Sequence, residues 1–151
     1  MSNILISIFV NIFIMLVTTL IFYDILNGII RAIANKKLSP RLLLVILMLG
    51  IFSAHALSIF IYGMAYWLLA YVSHYPSLEG IDATGFGSYL YYSATTYSSL
   101  GIGDVYSRGC MRIITSFEVI NGLTLIAWSA TFTYFSVQKR GRVEELTKSG
   151  I

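Results

Sequence analysis

The sequence predicts an all-α membrane protein with three transmembrane helices and a re-entrant short helix and loop between the second and third. Three observations predict it. Of 151 residues, 57% are hydrophobic and only 11% charged, and the mean hydropathy is +0.78. About a quarter of a soluble domain is charged, so this chain has too little polar surface to cover itself in water. Three apolar segments, residues 3–33, 42–72 and 111–137, each exceed the roughly 20 residues that cross a bilayer core. The segment between the last two is too polar in places for a fourth span and too aromatic for a plain loop.

The first helix covers residues 1–34. No basic residue precedes its apolar run and it lacks a small-x-small cleavage site, so it reads as a retained helix rather than a cleaved signal. It is expected at the periphery, against lipid and the second helix. Asp24, with Asn27, lies toward its inner end, where a carboxylate can reach the interface. The turn at 35–41 has Asn35 and then Ser39-Pro40, with proline at the start of the next helix.

The second helix occupies 42–72 and carries His55 near its middle. By rise counting, His55 lies at nearly the depth of Glu118 in the third helix. A His55–Glu118 hydrogen bond and a bond from His55 to a backbone carbonyl are both open. An outer loop, 73–84, holds Glu79, Asp82 and His74, the last a minor candidate for sensing external pH.

The short helix is expected over 85–98, in "GFGSYLYYSATTYSS", followed by "SLGIGD" at 99–104. Gly101 and Gly103 alternate with other residues and invite positive φ. Irregular backbone at membrane depth is tolerated only where protein buries it or a watery cavity borders it. Alternating glycines let successive carbonyl oxygens point the same way. A row of such carbonyls from several chains can replace the hydration shell of a monovalent cation.

The third helix is expected at 109–137 and a short charged tail at 138–151. Glu118 is an intramembrane carboxylate, a functional candidate by default. It is placed to reach the back of the loop or Arg112. Leu123, Ile126, Ala130, Thr131 and Tyr134 fall on one face at helical spacing, either lining a cavity or packing on neighbouring helices. Tyr134 and Phe135, near the inner end, are candidates for a constriction that gates by dewetting.

Eight of the ten basic residues lie on one side of this arrangement: Arg31, Lys36, Lys37, Arg41, Lys139, Arg140, Arg142 and Lys148. The positive-inside rule makes that side cytoplasmic, leaving the N-terminus and residues 73–110 outside. The expected location is the plasma membrane, multi-pass. The single cysteine, Cys110, excludes an intrachain disulfide. No paired His/Cys metal spacing and no nucleophile–base arrangement is present, so no catalytic residue is assigned and an enzyme is not expected. No internal repeat, second domain or nucleic-acid motif appears.

The string "YYSATTYSSLGIGD", residues 91–104, resembles the pore-helix and filter signature of potassium channels, in which Thr-Val-Gly-Tyr-Gly-Asp follows an aromatic-rich pore helix. Read without gaps, Ser99, Leu100, Gly101, Ile102, Gly103 and Asp104 occupy that string. Tyr91 and Tyr92 fall where voltage-gated members carry tryptophans, and Gly122 falls near the glycine hinge of the inner helix. The resemblance covers 85–137 and is closest to small bacterial two-helix channels, here with one additional N-terminal helix. Ile102 departs from the usual aromatic and lacks the hydroxyl with which a tyrosine braces the loop.

The resemblance implies a homotetramer with the filter on its fourfold axis, K+ held at Ser99, Leu100, Gly101 and Ile102, and Gly103 completing the filter. Ser98, Asp104, Tyr91, Tyr92 and Glu118 would support it, with Asp104 accepting from the Tyr91 hydroxyl. Gly122, Leu123, Ile126, Ala130, Tyr134 and Phe135 would form hinge and gate. The expected partners are other copies of this chain and the lipid bilayer. There is no nucleic acid, no cofactor and no substrate other than ions. Acidic residues at the mouth, Asp104 with Glu79 and Asp82, would attract cations. No arginine precedes Arg31 in the first helix, so no voltage sensor is expected. A weakly selective cation channel and a non-conducting scaffold or accessory subunit are the alternatives.

Overall fold

The computed structural model describes residues 2–34, 36, 38–71, 78–80 and 85–148. Among them, four helices and a two-stranded ribbon follow the order α1 (Ser2–Ile33), α2 (Pro40–Tyr71), β1 (Glu79–Gly80), α3 (Phe86–Tyr97), β2 (Val105–Tyr106) and α4 (Met111–Lys148). Three stretches are long and apolar enough to cross a membrane: Ile4–Ile33, Pro40–Tyr71 and Met111–Gln138. The chain is therefore an all-α multi-pass membrane protein. His74, Asp82, Asn35 and Lys37 lie outside the described residues, as do the side chains of Lys139, Arg140, Arg142 and Lys148.

Local chemistry explains the helix ends. Pro40 opens α2, and Ser39 precedes it as a cap, its Oγ accepting from the Leu42 N–H at 3.4 Å. Gly109, at φ +56°, turns the chain into α4. That helix does not stop where its apolar residues do, but carries its polar end on to Lys148.

The first helix has two faces. Ser7, Asn11, Ile14, Thr18 and Phe22 recur at helical spacing and are buried, while Phe9, Phe13, Leu16 and Leu20 are exposed, as residues facing lipid should be. The buried stripe runs along α4 as well as α2, a difference from the expected packing on lipid and the second helix. Ser7 donates to the Cys110 carbonyl at 3.2 Å, and the Asn121 amide donates to Thr18 at 2.9 Å. Both pairs are 103 residues apart, so α1 and α4 run parallel in constant register. In a bilayer, where lipid competes for apolar contacts, such small and polar residues specify helix pairing.

The core gathers where α2 and α4 pack against each other, against α1 on one side and against α3 on the other. Its largest fully buried side chains include Tyr62, Tyr66, Tyr97 and Phe22. A buried phenol needs a hydrogen-bond partner, and each tyrosine has its own. Tyr62 meets Asn121 at 3.2 Å, Tyr66 meets Glu118 at 2.6 Å and Tyr97 meets His55 at 2.9 Å.

Two glycines bring backbones together around α3. A Cβ on Gly63 of α2 would lie 3.1 Å from the Leu90 Cα, and one on Gly122 of α4 would collide with the Tyr97 carbonyl. Part of the expected outer loop is ordered into the ribbon. Glu79 pairs with Tyr106 and Gly80 with Val105, antiparallel, which fastens the loop beside the chain leaving 99–104.

Candidate pore loop

The candidate site is the reversal after α3. Four amides in succession turn back onto the last turn of that helix. Ser98 N–H donates to the Ala94 carbonyl at 3.2 Å, Ser99 to Thr96 at 2.8 Å, and Leu100 and Gly101 both to Thr95, at 2.8 and 3.1 Å. With its donors committed to α3, the backbone of 99–101 has its carbonyls left for the opposite side.

The dihedral angles continue the pattern. Ser99, Gly101 and Gly103 have φ of +56°, +52° and +87°, whereas Leu100 and Ile102 are not in the left-handed region. Such an alternation of the two regions can turn successive peptide planes so that their carbonyls share one direction. The glycine spacing announces two of these positions. The third, Ser99, is a non-glycine residue in a conformation that costs an L-residue about 1–2 kcal/mol. The side chains of Leu100 and Ile102 are exposed in the single chain. Behind the loop is a cavity of about 310 Å³, bordered by Tyr92, Thr95, Ser99, Ile102, Tyr106 and Thr115 among others.

Asp104 closes the loop. Its Oδ1 accepts from the Val105 N–H at 2.9 Å and its Oδ2 accepts from the Tyr91 hydroxyl at 2.9 Å. The carboxylate that accepts this bond raises the Tyr91 phenol above its ordinary value. The middle of α3 is thereby tied to the exit of the loop. Tyr92 turns inward instead, bonding Thr115 of α4 at 2.8 Å and packing edge-on against Tyr66. Ser98 caps its own helix, donating to the Ala94 carbonyl at 2.7 Å.

Glu118 is fully buried and joins three elements. Its Oε2 accepts from Tyr66 of α2 and its Oε1 from Ser93 of α3, both at 2.6 Å. Ser93 is also 2.9 Å from the Ile59 carbonyl. The carboxylate thus sits at the middle of α3, not at the loop itself. Neither of its expected partners is there. Arg112 donates to the Ser107 carbonyl at 3.3 Å, and His55 faces Tyr97 and Ser129. Rise counting puts the two at one depth, but α2 and α4 pair antiparallel, Tyr66 with Glu118, Tyr62 with Asn121 and His55 with Ser129, so His55 lies about 16 Å along α4 from Glu118.

Beside the loop exit Glu79 is not a free charge. Arg108 pairs with it at 2.9 Å and the Tyr106 hydroxyl donates to it at 3.3 Å. The expectation of an acidic mouth therefore rests on Asp104 among the described residues. Asp24 is exposed on α1, toward its C-terminal end.

Along α4, Leu123, Ile126, Ala130, Thr131, Tyr134 and Phe135 are all exposed in the single chain, with the Tyr134 and Phe135 rings edge-on at 5.5 Å. Gly122 lies on the opposite, packed side against Tyr97. Sequence reasoning did not find the contributions of Ser93, Asn121 and Tyr97. Their signal was present, since a polar residue inside an apolar span needs a partner.

A family model described as "Ion channel" matches residues 51–136. No curated protein and no solved structure matches the chain. The matched stretch is more than half of the 151 residues and runs from α2 through α3 and the loop into α4, and the chain accordingly belongs to this family of ion channels.

Proposed function

We propose that the protein conducts K+ passively and selectively, as a homotetramer whose 99–103 loops surround a central axis. The observation that carries this is the loop backbone. The amides from Ser98 to Gly101 are committed to α3, and positive φ recurs at Ser99, Gly101 and Gly103. That leaves a set of carbonyls suited to take the place of a cation's water shell. One chain supplies one strand of carbonyls and a shell needs several. The exposed faces of the loop and of α4 are the surfaces along which copies would meet.

In this reading the carbonyls of Ser99, Leu100, Gly101 and Ile102 coordinate K+, with Gly103 finishing the row. Tyr91 and Asp104 hold the outer end, while Tyr92, Ser98 and Glu118 hold α3. The exposed face from Leu123 to Phe135 lines the inner cavity, with Tyr134 and Phe135 at its narrow end and Gly122 as the point about which α4 bends. In the same reading the side rich in basic residues, with the C-terminal end of α4, faces the cytoplasm, and the membrane is the plasma membrane.

A second reading, a channel that separates K+ from Na+ poorly, draws on Ile102. Its side chain is 58% exposed and has no group that can bond to α3. Cation flux into liposomes holding the purified protein separates the two. K+ flux that Ba2+ blocks, with little Na+ flux, supports the first; equal fluxes favour the second. Absence of flux in both salts from a stable tetramer, kept after Tyr134→Ala, would point to a scaffold.

A further inference from the structure

His55 belongs neither to the loop nor to the Glu118 cluster, yet it bridges the last residue of α3 and the inner part of α4. Nδ1 lies 2.9 Å from the Tyr97 hydroxyl and Nε2 lies 3.4 Å from the Ser129 hydroxyl. The Phe22 ring of α1 packs against the imidazole at 4.9 Å between centroids, and the Tyr97 ring meets it edge-on at 5.8 Å.

The direction of these bonds follows from counting protons. The Ile126 carbonyl can only accept, and Ser129 Oγ is 2.8 Å from it, so the single serine proton goes there. Ser129 then has only lone pairs for the ring, which puts the imidazole proton on Nε2. Nδ1 is left as an acceptor and takes the Tyr97 proton. The bonds run one way, from Tyr97 of α3 through His55 of α2 to Ser129 and Ile126 of α4.

This relay grips the loop's foundation. Tyr97 is the last residue of α3, two positions before Ser99, and is 2% exposed. The Leu100 and Gly101 amides hang from Thr95 in the same turn, so a rotation of that turn would re-aim the loop carbonyls. Tyr91 with Asp104 and Ser93 with Glu118 both hold the middle of the helix. At the inner end the side-chain hold is the Tyr97 hydroxyl.

We propose that His55 is a positioning residue for ion selectivity: through the Tyr97 hydroxyl it fixes the inner end of α3, and through Ser129 it links that end to α4. The proposal rests on the reading of 99–103 as the conducting filter.

The test is a double-mutant cycle on His55→Phe and Tyr97→Phe, reading the K+/Na+ flux ratio in liposomes, with ring-nitrogen NMR of labelled histidine in a His74→Asn background. Each single change should lower the ratio by about threefold to tenfold, the worth of one buried hydrogen bond, and the double should fall no further. Tyr97→Phe removes one oxygen and keeps the ring, so folding is not at issue. The NMR spectrum should show Nδ1 unprotonated, Nε2 protonated, and an Nδ1 signal that moves in Tyr97→Phe. An unchanged ratio in both singles, losses that multiply, or a proton on Nδ1 would overturn the proposal while leaving the channel reading intact. A wild-type protein that carries no cation, with the NMR bond present, would remove the channel reading and this proposal with it.

Discussion

Gly103 has φ +87°, and a Cβ built on it meets nothing within 4 Å. Alanine there fits in space and fails only in conformation, at a cost of about 1–2 kcal/mol. The prediction is that Gly103→Ala folds and assembles but loses K+ flux, measured beside a thermal melt that moves little. Tyr91→Phe makes the complementary case. Its bond to Asp104 is exposed, so the melt should not move, while sustained K+ flux should fall as the outer end of the loop is released. At this scale the sequence is informative about backbone and silent about partners. Glycines at alternate positions announce positive φ, but nothing in the letters marks Ser99 as a third such residue.

Among the elements, the Glu118 cluster is the joint on which α3 depends. Glu118→Ala would take the short acceptor from the Tyr66 hydroxyl, leaving it the Thr115 hydroxyl at 3.4 Å, while Ser93 keeps the Ile59 carbonyl. The loss is about 1–3 kcal/mol for a buried group deprived of its partner. We expect it to lower the denaturant midpoint in detergent more than Thr18→Val. The latter removes one α1–α4 hydrogen bond, of a kind worth about 1 kcal/mol in membrane proteins. Gly122→Ala should behave like a steric wedge, because its new methyl group collides with the Tyr97 carbonyl rather than with a movable side chain. Its expected signature is a lower melting temperature together with reduced flux. The spans themselves were legible, since their length and hydropathy are properties of each segment alone. Which side chains meet was not. Rise counting puts His55 and Glu118 at one depth, and only the packed register shows that His55 is level with Ser129 and Glu118 with Tyr66. The ribbon between Glu79–Gly80 and Val105–Tyr106 was hidden for another reason. Strands of two residues have no period to read.

For the whole molecule, membership in the ion channel family accounts for α3, the loop and most of α2 and α4, and leaves α1 outside the matched stretch. The polar stripe of α1 shows it to be part of the subunit's core rather than a loose anchor. Native mass measurement in detergent should return four chains per particle, and the four should persist in Gly103→Ala. The central claim is that backbone carbonyls of 99–103 coordinate monovalent cations on the axis of that tetramer. Crystals grown with Tl+ in place of K+ test it most directly. The account predicts anomalous peaks in single file along the axis, at the level of the Ser99 to Gly103 carbonyls. An ordered tetramer with no Tl+ peak at that level would contradict it.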